Sequence, residues 1–349
     1  MKRRDFLAGT GAAGASLVAG CGSLESQSTR APPLVENRPD ATYRPTHAEG
    51  MGMVGMGQAG DYMVGLTYSF PHRFWTVTGR TAEQVDIRDG DSVHLMATVW
   101  DPESDLVLPV SAGVSITVEA DGETVADKPP WPMISQNRGF HYGDNYQLPG
   151  EGTYTVRAGV QGMTERRFGA LSDRFGEAGE MSVNFDFSRA ALDNLSYEEF
   201  PERQGERGSL DLMNMEMVPT SRVPAAEDLP GELLGTAAGS DEVYAATWLT
   251  DAPFLGDGES YLAVSVRTPY NRVPLPMMSL DGAVQADGET VYDDALVEAI
   301  HPDIGYHYGA VVPTTASDPS VTVETIAPPQ VSRHEGYETA FLATPTLSF

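Results

Sequence analysis

Cysteine, lysine and histidine are all scarce in this chain, and each scarcity excludes something. The single cysteine, Cys21, leaves no disulfide framework, no four-cysteine zinc site and no cysteine-ligated iron–sulfur cluster. Lysine is almost absent, and 22 basic residues stand against 50 acidic ones, a net charge of −28. A polyanion would be repelled, so nucleic acid and anionic lipid surfaces are poor partners. No segment keeps a 3.6-residue apolar period, which argues against long helices. A phosphate loop, a Gly-x-Ser-x-Gly elbow, a dinucleotide fingerprint and a His-Glu-x-x-His helix are all missing, so no ordinary hydrolase or oxidoreductase chemistry is written in the chain, and no enzymatic turnover is expected.

What is present points to β structure. Gly (36) and Pro (25) are abundant for 349 residues, and 41% apolar content is enough for real cores. Residues 62–68, 92–100, 114–119, 153–160 and 181–187 are β-rich and bounded by turn residues such as Asp121-Gly122. Internal similarity sets the organisation. Residues 95–110 (LMATVWDPESDLVLPV) match 262–277 (LAVSVRTPYNRVPLPM). Residues 120–125 (ADGETV) recur at 286–291, and His141-Tyr142-Gly143 recurs as His307-Tyr308-Gly309. Three matches in the same order predict an all-β protein of two β-sandwich domains from an internal duplication, at 59–188 and 241–349.

The rest of the chain divides around these copies. Arg3-Arg4-Asp5-Phe6-Leu7 looks like a twin-arginine export motif, and residues 8–20 are too short an apolar stretch to span a bilayer. Leu17-Val18-Ala19-Gly20-Cys21 resembles a lipobox, which makes residues 1–20 a signal peptide and Cys21 a lipidation site holding the protein outside the cytoplasm on the cell membrane. Residues 21–58 read as a flexible tether, and 189–240 as an acidic connector whose alternating Met213, Met215 and Met217 would share one strand face. Within the tether, His47, Met51, Met53 and Met56 offer soft donors on a Gly-rich strip. The even spread of acid resembles that of proteins from salt-in halophilic archaea.

Seven histidines can be weighed singly: 47, 72, 94, 141, 301, 307 and 334. On a strand over 92–100, His94 and Met96 share a face. The stretch from Met133 to His141 could fold the thioether back toward the imidazole. Two imidazoles with two thioethers suit copper, or iron less tightly. Packing histidines and a turn cap are the competing reading of the same residues.

Residues 129–157 (PPWPMISQNRGFHYGDNYQLPGEGTYTVR) and 92–100 (SVHLMATVW) resemble the signature of periplasmic iron/copper-binding proteins that accompany ferrous-iron permeases. The resemblance implies an immunoglobulin-like sandwich, often a homodimer, that supplies a copper or iron ion to a membrane permease. It implies ligand roles for His94, Met133 and His141, with Met96 where the family has a Glu. His72 falls near a segment that lines the family's site. Arg138 stands where the family tends to have Asp, and is expected to point outward or to pair with Asp144. In the second copy Tyr261 and Ala263 replace His94 and Met96, which leaves His301, His307 and His334 as an additional metal set. The alternatives are a non-metal structural or interaction protein of tandem sandwiches, with the histidines as packing residues, and a surface hydrolase lacking a recognisable motif.

Overall fold

The computed structural model describes residues 32–349; the export motif, the lipobox and Cys21 lie outside the described residues. The fold is all-β, with sheets forming sandwich-like layers, and its one α-helix among the described residues is the short Arg189–Asp193, capped by Ser188. Among these residues no helix is long and apolar enough to cross a membrane.

An eight-stranded sheet forms one layer of the first half. Its order is Gly52–Ala59, Tyr62–Ser69, Val93–Trp100, Gly139–Tyr146, Trp131–Ser135, Ser332–Arg333, Phe74–Thr78 and Thr81–Val85. A four-stranded sheet, Gly179–Phe187, Gly152–Val160, Val114–Ala120 and Glu123–Lys128, provides the second layer. Alternation sets which face is inside: Val114, Ile116 and Val118 are buried while their neighbours are partly exposed. Val93–Trp100 is buried at every position, as a central strand covered on both faces must be.

The second half repeats this local structure. Asp121-Gly122 and Asp287-Gly288 turn their hairpins with φ of 50° and 82°, and of 53° and 83°. Positive φ at both central residues is what a two-residue hairpin with right-handed twist requires, and Asp-Gly supplies it at low cost. Tyr142 Oη donates to Val110 O (2.9 Å) and accepts from Val110 N (2.6 Å). Tyr308 does the same between Leu275 O and Met278 N, both at 2.9 Å. The halves differ where proline intervenes. Pro129-Pro130 separates Glu123–Lys128 from Trp131–Ser135. The corresponding Ala295-Leu296 lets Glu289–His301 run unbroken, its first part pairing with Ser279–Ala286 and its last with Gly305–Val312.

Three expectations are corrected. Residues 32–58 are not a flexible tether: His47–Glu49 pairs with Tyr197–Glu199, Gly52–Ala59 forms the edge of the large sheet, and Tyr43 is fully buried. Met53 and Met56 pack against the core instead of forming a loose soft-donor strip. The 189–240 segment is partly structured, with strands Tyr197–Glu199 and Glu232–Ala238, while Met213–Met217 forms no strand and Met217 is exposed. Nor are the halves closed off from each other, since Ser332–Arg333 inserts between Trp131–Ser135 and Phe74–Thr78 of the first half. Arg333 anchors it, fully buried, with its guanidinium donating to the carbonyls of Pro329, Ala340 and Phe341.

Candidate metal centre

The insertion decides the geometry of the site. Residues directly paired across a sheet share a face. His94 pairs with Asn145, Met96 with Gly143, and His141 with Met133, which in turn pairs with Ser332. His334 follows two residues after Ser332 on the same face, its backbone N–H bonded to Ile134 O at 3.1 Å. Four neighbouring strands thus present His94, His141, Met133 and His334 to one spot.

One ring nitrogen each from His94, His141 and His334 lies within 4.8 Å of the others. The Nε2 atoms of all three are buried and have no hydrogen-bond partner. Tautomers follow from the other nitrogens. His141 Nδ1 faces Gly139 O at 3.1 Å, and a carbonyl only accepts, so Nδ1 carries the proton and Nε2 the lone pair. His94 Nδ1 lies 2.9 Å from Asn145 Oδ1. That amide is oriented by His72, whose N–H donates to Oδ1 (3.0 Å) and whose carbonyl accepts from Nδ2 (2.7 Å). His94 is therefore also protonated at Nδ1. Such outer partners fix the tautomer that a metal needs.

Burial makes the protonated forms costly. Desolvation pulls His94 down to about 4 and His334 to about 3, and holds His141 and His72 well below the ordinary histidine value. All four are neutral at pH 7. The Nε2 lone pairs of His94 and His141 thus face the His334 ring with no donor bonded to them, which is unfavourable unless a cation joins them.

Thioethers complete the surroundings. A Cβ on Gly143 would sit 2.6 Å from His94 Nε2 and 3.2 Å from Met133 Sδ, so the glycine keeps open the space where both atoms point. Met96 lines the cleft of about 90 Å³ above the site, together with His141, His334 and His72. Arg138 neither points outward nor pairs with Asp144. It is buried, donates to Thr98 Oγ1, and is pulled down to about 10 by desolvation, so it stays charged at pH 7 and disfavours a proton on His141. Asp144 pairs instead with Lys128 at 2.9 Å.

The expected set of His301, His307 and His334 is not brought together. His334 joins the first half, His301 faces Asp303 (Nδ1 to carboxylate 3.9 Å), and His307 Nε2 accepts from Tyr261 Oη at 3.0 Å. The sequence reading gave no role to Asn145 or Glu49. Asn145 could have been found, because it lies four residues after His141 on the same strand face. Glu49 was hidden inside the presumed tether.

One family, described as a domain of unknown function (DUF7350), matches residues 227–349, which include His334 but neither His94 nor His141. No curated protein matches the chain. Among solved structures, the chain is similar to "as isolated" FetP of uropathogenic E. coli strain F11, with 18% identity and a TM-score of 0.29 over 39% of this chain and 95% of that one. A copper-bound variant of the same protein gives 17% identity and a TM-score of 0.28 over 39% and 97%.

Proposed function

We propose that this protein binds one transition-metal ion between His94, His141, His334 and Met133, and hands it on without chemical turnover. The observation that carries this reading is the convergence of three buried imidazoles whose Nε2 atoms have no partner. Imidazole suits copper, zinc and iron alike, while a thioether is a soft donor that favours Cu(I). Met96 at the cleft adds to that softness, so copper is preferred over ferrous iron. In this reading the protein is anchored outside the cytoplasm through Cys21 and delivers its ion to a membrane permease. The two halves are copies of one unit; the first supplies His94, Met133 and His141, and the second contributes His334 through its inserted strand.

The test is a titration of the purified protein with Cu(I), Cu(II), Fe(II) and Mn(II), beside the His141→Ala variant. One tight equivalent that depends on His141 is expected, weakened in the variant by more than the roughly 10–100-fold that loss of an outer-shell partner costs. Equal affinity in both proteins would overturn the assignment.

A further inference from the structure

A second group of donors lies at the mouth of the same cleft. His47 and Glu49 stand two residues apart on one strand, so both face the cleft, and both line it with His72. Glu49 holds the two imidazoles apart: Oε1 is 3.3 Å from His47 Nε2, and Oε2 is 3.3 Å from His72 Nδ1. The carboxylate is only 8% exposed, which is unusual for a glutamate with no cationic lysine or arginine against it. The nearby Arg73 is engaged elsewhere, with Glu335 at 3.9 Å and with Pro32 O.

The strand that carries this group is held in place. His47 pairs with Glu199 and stacks on Tyr197 at 5.1 Å between ring centres. Gly50 N donates to Ser196 O, and Asn137 Nδ2 donates to Glu49 O at 3.3 Å. The other nitrogen of His47 sits 2.8 Å from Thr46 Oγ1. A hydroxyl can donate or accept, so its rotation allows Nδ1 to take the proton and frees the Nε2 lone pair. His72 lies between the groups, its ring 4.8 Å from that of His94 and 5.2 Å from that of His334.

We propose that His47, Glu49 and His72 form a second, outer cation site, which takes a divalent transition ion on its way between solvent and the inner pocket. Two imidazoles and a carboxylate contain no sulfur. They suit borderline ions such as Cu(II), Fe(II) or Zn(II), whereas the inner pocket, with Met133, suits a softer ion. Binding at the outer site stands on its own residues; its role as an entry station rests on the inner pocket being a metal site.

The experiment is equilibrium dialysis of the full chain against Cu(II) in molar KCl, with wild type, Glu49→Gln, His47→Ala/Glu49→Gln and His141→Ala compared. Wild type is expected to hold two equivalents. The two outer variants should keep the inner one and lose or weaken the outer one at least about tenfold. The retained inner equivalent shows that those variants are folded, and Glu49→Gln keeps the shape of the side chain should the double variant fail to fold. His141→Ala should keep the outer equivalent. Unchanged binding in both outer variants overturns the outer site alone. Two equivalents that survive in His141→Ala, with one lost in the outer variants, overturn the inner assignment and leave the outer one. No binding by wild type overturns both.

Discussion

The pockets around His141 and His307 begin from the same local structure and end differently. Each histidine follows a glycine of positive φ by two residues, at 75° in Gly139 and 76° in Gly305, and each Nδ1 bonds that glycine's carbonyl, at 3.1 and 3.0 Å. Each Nε2 is therefore a lone pair. In the first half it meets two more imidazoles and a thioether. In the second it meets the hydroxyl of Tyr261, which donates to it, and Phe168 and Phe254 pack on Tyr261 with ring centres 5.1 and 5.3 Å away. One side chain at the position of His94 thus turns a ligand set into a satisfied core. A buried histidine becomes a metal candidate when its second nitrogen is left without a protein partner.

The largest effect is expected from His334→Ala, which should lower metal affinity as severely as His141→Ala, whereas His307→Ala should leave it unchanged; a metal titration of the three proteins decides this. Gly143→Ala and Gly309→Ala come next. The added methyl would meet His94 Nε2 at 2.6 Å in one case and Tyr261 Oη at 2.3 Å in the other. Each should cost about 1–3 kcal/mol in denaturant unfolding, but only Gly143→Ala should also lose metal.

Tyr261→Phe should cost about 1–3 kcal/mol, because it leaves His307 Nε2 without its donor; a cost near zero would mean that the bond does not hold the second pocket together. A pH series is subtler. Folded values near 4 for His94 and His307 and near 3 for His334 lie below the ordinary 6.5. The unfolded chain then takes up protons that the folded one refuses, so the stability of metal-free protein is full above pH 6.5 and falls as the pH drops toward 4. Replacing His94 and His334 by Gln should flatten that fall more than replacing His307, as thermal midpoints across this range would show. The smallest effect is expected from Arg138→Gln, which removes a buried cation beside His141 and should tighten metal binding modestly.

Much of the fold was legible because strand alternation and turn chemistry are local. The strands read at 62–68, 92–100, 114–119, 153–160 and 181–187 appear as Tyr62–Ser69, Val93–Trp100, Val114–Ala120, Gly152–Val160 and Gly179–Phe187. Residues 47–59 were misread because glycine and methionine carry little strand signal. Their order comes from pairing with Tyr62–Ser69 and Tyr197–Glu199, partners that no local pattern announces. In the site, the face shared by His94 and Met96 followed from a period of two. The placement of His334 did not, since a two-residue strand leaves no periodicity to read and its position depends on Arg333 finding three carbonyls elsewhere.

That inserted strand also imposes an order of assembly. A ribosome that has released only the first half has made His94, Met133 and His141, but not His334 or the strand that joins Trp131–Ser135 to Phe74–Thr78. The nascent sheet carries a gap, and its ligand set is one imidazole short. On the proposed function, metal capture is thereby tied to completion of synthesis, and a chain cut between the halves would lose both the seam of its eight-stranded sheet and the last imidazole of its pocket.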